Sequence, residues 1–140
     1  MRVVFLNPVP PETRKVYTGY SHGIGYLSAV AKRAGHETAL VTFSDAAGVV
    51  ERVPALEPDA LALTAASAQW PIAAAAAGLL LRAAPEVPLV AGGVHATVAP
   101  DEVIATPGVW AACRGEGEGP LVEILSGFEF GGWEETPGFW

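Results

Sequence analysis

Two short runs bring glycines and polar side chains together in this 140-residue chain: Gly92-Gly93-Val94-His95-Ala96-Thr97 and Arg114-Gly115-Glu116-Gly117-Glu118-Gly119-Pro120. The first follows apolar Pro88-Leu89-Val90-Ala91, which reads as a buried strand. Glycines carry no Cβ, so a bulky flat ligand can approach the backbone there, and His95 and Thr97 supply polar tips. Pro100-Asp101-Glu102 then opens a helix, proline standing at a natural first-turn position. Taken alone, the run is better read as a turn that merely needs glycine. The second run shifts that reading. It follows a strand-like Val109-Trp110-Ala111-Ala112-Cys113, and Pro120 leads into an amphipathic helix over Leu121–Leu125. Two glycine-rich strand ends one βα unit apart would lie side by side at the carboxyl edge of a parallel sheet, where open α/β sheets bind ligands. The chemistry this suits is the grip of a large ligand by backbone and small polar groups.

The elements that must position these runs follow in alternation. Val3-Val4-Phe5-Leu6 is a continuous apolar strand ending at Asn7-Pro8, and a long loop runs to Tyr20. A helix is expected over Gly23–Ala34, with Gly35 as its stop. Thr38–Phe43 is the second strand, Ser44-Asp45 caps a helix ending near Pro54, and Ala60–Thr64 is the third strand. A small polar loop, Ala65-Ala66-Ser67-Ala68-Gln69, precedes an alanine-rich helix through Ile72 to Arg82. The pattern predicts an α/β fold: a doubly wound, mainly parallel five-stranded sheet, flavodoxin-like or Rossmann-like, order 2-1-3-4-5, with helices on both faces. Residues 1–127 form that domain. Residues 128–140, Phe128-Glu129-Phe130 through Trp140, mix aromatics with Gly and Pro in neither a helix nor a strand pattern and read as an apolar tail or linker towards a further domain.

Composition removes several classes of function. Fifteen acids against eight Lys and Arg give a formal charge of −7, and the cations are scattered in ones and twos, so nucleic acid is excluded as a partner. No apolar run reaches the ~18 residues a membrane span needs, and the start is not a secretory signal. A single cysteine excludes a disulfide framework, suggests the cytoplasm, and leaves too few thiolates for an iron–sulfur cluster held by this chain alone. Phosphate-cradling turns are excluded after the first strand because Pro8, Pro10 and Pro11 lack N–H donors. A receiver domain would want acids where Asn7 and Thr64 stand.

The same runs resemble the N-terminal cobalamin-binding domain of cobalamin-dependent radical S-adenosylmethionine enzymes, which carry similar Gly-Gly-x-His-x-Thr and Arg-Gly-Glu-Gly-Glu motifs. Asn7-Pro8, Gly23-Ile24-Gly25-Tyr26-Leu27-Ser28-Ala29 and Ala34-Gly35-His36-Glu37 match the family's first βα unit, and the resemblance covers residues 3 to 126. It implies a Rossmann-like domain holding cobalamin. Gly92, Gly93, His95 and Thr97 would line the pocket of the nucleotide tail, joined by Gly115, Glu116 and Gly117. Ala65, Ala66 and Ser67 would sit beside the corrin or tail, and Asn7 and Pro8 would border the macrocycle. S-adenosylmethionine and a 4Fe-4S cluster would belong to an attached or partner radical domain, and enzymes of this family often transfer a methyl group. The chain stops where such a domain would begin, so it resembles a binding module that catalyses nothing by itself.

His22 is the candidate lower axial cobalt ligand. A related kind of cobalamin domain carries Asp-x-His-x-x-Gly, but here Tyr20 stands in the place of the acid that would orient the imidazole, which favours an ordinary helix-start residue. Among the remaining residues, His95 is the better functional candidate over a satisfied loop histidine, and His36 reads as a surface or helix-end residue. Glu116 and Glu118 serve the helix dipole as well as they would a ligand. Trp70, Trp110 and Cys113 read as core. Two alternatives stay open: a degenerate interaction module that binds no corrinoid, and a flavin or nucleotide binder.

Overall fold

The computed structural model describes residues 1–10 and 21–130. Five parallel strands, β1 (Arg2–Pro8), β2 (Glu37–Phe43), β3 (Ala60–Thr64), β4 (Leu89–Gly92) and β5 (Ala111–Ala112), form one sheet in the order 2-1-3-4-5. The expected topology and helix placement are therefore the observed ones. The order reverses between β1 and β3, where Val3 pairs with Ala60 and Leu6 with Leu63.

Alternation along these strands sorts the core into two layers. Val4 and Leu6 of β1, Leu61 and Leu63 of β3, and Leu89 and Ala91 of β4 point to one face. That face is covered by α2 (Ala47–Arg52), α3 (Trp70–Ala83), α4 (Val94–Val98) and α5 (Pro100–Ile104). Within α3, Ala73, Ala76, Ala77 and Leu80 recur at helical spacing and are buried, and small side chains let this helix lie close on the sheet. Val3, Phe5, Ala60, Ala62 and Val90 point to the other face, under α1 (His22–Arg33) and α6 (Glu118–Phe130) through Ile24, Ala31, Leu121, Ile124 and Leu125. Strands buried on both faces need the unbroken apolar runs seen in the sequence.

Several details depart from expectation. Helix α6 begins at Glu118, ahead of Pro120, and continues through Phe130, past the expected break at Gly127. Phe128 packs against the second core layer and Glu129 pairs with the N-terminal amine at 3.5 Å, so tertiary contacts extend the helix where the local pattern does not. The rest of the expected tail, from Gly131 on, lies outside the described residues. Trp110, expected in the core, is 41% exposed because β5 is an edge strand and its regular pairing begins one residue later. His36, expected at the surface, is buried in the turn between α1 and β2, its N–H donating to the Ala31 carbonyl. Asp45 does contribute at the start of α2, accepting the Ala47 N–H at 3.1 Å. Trp70 and Cys113 are buried as expected. Among the described residues no helix is long and apolar enough to cross a membrane.

Candidate functional site

A cleft of about 170 Å³ opens at the carboxyl edge of the sheet, on the face covered by α1 and α6. It lies beside the strand-order reversal, where doubly wound sheets take ligands. Phe5, Ala62 and Val90 form its floor, Gly23 and Leu27 of α1 one wall, and Glu118 and Leu121 of α6 the other. Gly92, Gly93, Cys113, Gly115, Glu116 and Gly117 line its upper rim. The depth is apolar, and among the described residues no lysine or arginine lines it.

The glycines earn their places in different ways. Gly93 has φ +91°, and a Cβ there would stand 2.7 Å from the Thr64 hydroxyl and 3.0 Å from the Ala65 carbonyl. Close approach of the β3 loop therefore accounts for Gly93 as fully as a ligand would. Gly115 is the converse case: φ is +76°, yet among the described residues no atom lies within 4 Å of a built Cβ. Its freedom is conformational, and the space beside it is open.

Five of the predicted contact residues, Gly92, Gly93, Gly115, Glu116 and Gly117, come together around this cleft. Pro8, Ala65, Ala66, Ser67, His95 and Thr97 stand at the same sheet edge but outside the lining. His95 and Thr97 lie on α4, a short helix in place of the expected open turn. His95 turns towards the opposite core layer. Its ring meets Trp70 with centroids 4.8 Å apart, its Nδ1 lies 3.1 Å from Ser67 Oγ, and its Nε2 is 3.5 Å from the Glu102 carboxylate without hydrogen-bond alignment. Asn7 is 2% exposed and, among the described residues, its Nδ2 has no hydrogen-bond partner. Alternation along β1 puts it on the same face as Phe5, at the cleft's end of the strand. An unpaired buried donor costs stability unless something accepts from it. His22 is the first residue of α1, exposed, directly before Gly23 of the cleft wall. Among the described residues no group of three or more His, Cys, Asp or Glu is placed to hold a metal ion.

Burial raises the Cys113 thiol above its ordinary pKa, and the nearby Glu118 carboxylate pushes the same way, so the cleft presents a neutral thiol. Phe5, Leu27, Ala62, Val90 and Leu121 escaped the sequence reading as site residues because each doubles as core.

Fold and site together define an open α/β domain that takes a ligand at its topological switch point. A model of the B12 binding domain matches residues 15–125, and the chain belongs to that family. The anaerobic magnesium-protoporphyrin IX monomethyl ester cyclase of Cereibacter sphaeroides is 27% identical over 144 residues, an alignment covering 97% of this chain and 24% of that protein. Two structures of the cobalamin-dependent S-adenosylmethionine radical enzyme OxsB superpose with a TM-score of 0.85 at 16% identity, one with aqua-cobalamin and S-adenosylmethionine bound and one with aqua-cobalamin bound. Each covers 99% of this chain and 20% of the OxsB chain. The chain thus spans about a quarter or less of the length of these relatives.

The residues present fit a cobalamin. The slot between α1 and α6 is apolar in its depth, as a neutral aromatic base requires, and its glycine rim leaves room for a flat body above it. The Asn7 amide, without a partner among the described residues, offers a donor at the same edge.

Proposed function

We propose that the domain binds cobalamin at its carboxyl sheet edge and positions it for a radical S-adenosylmethionine enzyme, in the cytoplasm. The apolar slot between α1 and α6 carries this reading: it has the place and lining to receive the nucleotide tail. Phe5, Leu27, Ala62, Val90 and Leu121 would enclose the tail's base. Gly92, Gly93, Gly115, Glu116 and Gly117 would let the remainder rest on backbone, and Asn7 and Pro8 would border the macrocycle. Cobalamin supplies a cobalt centre able to carry a methyl group, and methyl transfer is the reaction we assign to the complete enzyme. The chain's own residues bind, orient and exclude water. S-adenosylmethionine and a 4Fe-4S cluster would be held by a radical domain elsewhere, since one cysteine cannot hold a cluster. The relative named as a cyclase favours a second reading, in which the same cofactor arrangement serves ring closure.

The test is uptake of hydroxocobalamin, read as corrin absorbance co-eluting with the protein on gel filtration, by wild type and by Ala62→Phe. The variant fills the floor of the slot while leaving the rim intact. Uptake by wild type and its loss in a folded Ala62→Phe protein supports the site. Absence of uptake by wild type would favour a module that binds no corrinoid.

A further inference from the structure

Four side chains, Gln69, Ser67, His95 and Thr97, join the loops of the carboxyl edge in a continuous row. Gln69 accepts the Ala66 N–H at 2.7 Å through Oε1 and donates to the Pro8 carbonyl at 2.6 Å through Nε2, tying the loop after β3 to the end of β1. Ser67, on the same turn, meets His95 Nδ1 at 3.1 Å and so ties that loop to α4. Thr97, two residues along α4, donates its hydroxyl to the Gly93 carbonyl at 3.1 Å and accepts the Gly115 N–H at 3.0 Å, which ties α4 to the turn after β5. None of Gln69, His95 or Thr97 lines the cleft, whereas Gly93 and Gly115, which Thr97 joins, both do.

Backbone bonds already join the β3 and β4 loops, the Ala65 N–H donating to the Gly92 carbonyl at 3.2 Å and the His95 N–H to the Ala65 carbonyl at 3.0 Å, so the row matters most at the turn after β5. Among the described residues, no neighbouring atom packs where a side chain at Gly115 would sit. A turn with glycine at positive φ loses more conformational freedom on ordering than any other, on the order of 1–2 kcal/mol per residue. If that ordering waited for the ligand, it would be subtracted from affinity. His95 is itself buried with its ring against Trp70, so the link it makes to Ser67 is stiff.

We infer that Gln69, His95 and Thr97 are positioning residues. They hold the four loops of the carboxyl edge in the ligand-ready arrangement before a ligand arrives, and they make no contact with it. The identity of the ligand rests on the cobalamin reading; the row does not.

The test pairs amide hydrogen exchange of the ligand-free protein with hydroxocobalamin titration. Thr97→Val removes the hydroxyl at nearly constant volume, and Thr97→Ser restores it. In Thr97→Val the Gly115 amide should exchange about three- to tenfold faster, the loss of one net hydrogen bond, with Thr97→Ser near wild type. The hydroxocobalamin Kd should weaken by a similar factor. Gln69→Leu should do the same at the Ala66 amide. Unchanged exchange at Gly115 and Ala66, or faster exchange with an unchanged Kd, overturns the inference. Failure of wild type to take up hydroxocobalamin would remove the ligand reading alone, because the exchange comparison decides the row without it.

Discussion

Leu27 of α1 reaches across the cleft to Gly117 at the start of α6: a Cβ built on Gly117 would stand 3.2 Å from Leu27 Cδ2. The two helices meet there with nothing but a flexible leucine tip between them. Gly117→Ala should therefore be accepted by the fold, the leucine giving way at a cost of about 1 kcal/mol or less, while the slot narrows. We expect a urea midpoint close to wild type and an affinity for hydroxocobalamin lower by tenfold or more. Equal affinity in the two proteins would show that the slot does not admit the ligand.

The rim glycines should separate by mechanism. Gly93→Ala combines a left-handed φ with overlap against the Thr64 hydroxyl and the Ala65 backbone, which cannot swing away, and should destabilise by about 2–4 kcal/mol. Gly115→Ala meets the backbone penalty alone, about 1–2 kcal/mol, since its surroundings are open. Chemical denaturation of both variants checks the order, and a Gly115→Ala protein as unstable as Gly93→Ala would contradict the geometry.

Such differences mark where the sequence was readable. Strand order, the two helix layers and the glycine turns follow from apolar runs, βα alternation and glycine placement, signals that are local and periodic. The role of Leu27 does not follow, because a leucine on the inner face of a helix reads as core whether or not a slot lies beside it. His95 stands two residues after a glycine pair at a ligand edge, and only the turn of α4 shows that its ring faces Trp70. Trp110 and Phe128 were misread for the opposite reason: burial at an edge strand or a helix end is decided by partners distant in the chain.

His22 offers a sharper spectroscopic question. It is exposed at the first position of α1, and the residue at the place of an orienting acid is Tyr20. We expect His22→Ala to take up hydroxocobalamin with a visible spectrum indistinguishable from wild type. A band shift in the variant signalling loss of a nitrogen ligand from cobalt would make His22 the lower ligand after all.

Cys113 should give the fold an alkaline weakness. In the native state its proton is held above the ordinary thiol value of 9.0, by burial first and by the Glu118 carboxylate second. The unfolded chain, with an ordinary thiol, releases its proton earlier as the pH rises. The contribution to stability is therefore complete below the ordinary value and is lost as the pH climbs from there through the raised native value. Cys113→Ala has no such proton to lose. Urea midpoints measured from pH 7 to pH 10.5 should fall more steeply for wild type than for Cys113→Ala, the two curves diverging only above about pH 8.5. Alkylation of Cys113 at neutral pH should be slow, and slower still with hydroxocobalamin in the cleft, since the thiol borders the slot. Parallel curves with rapid alkylation would show that the thiol is neither buried nor beside Glu118 in solution.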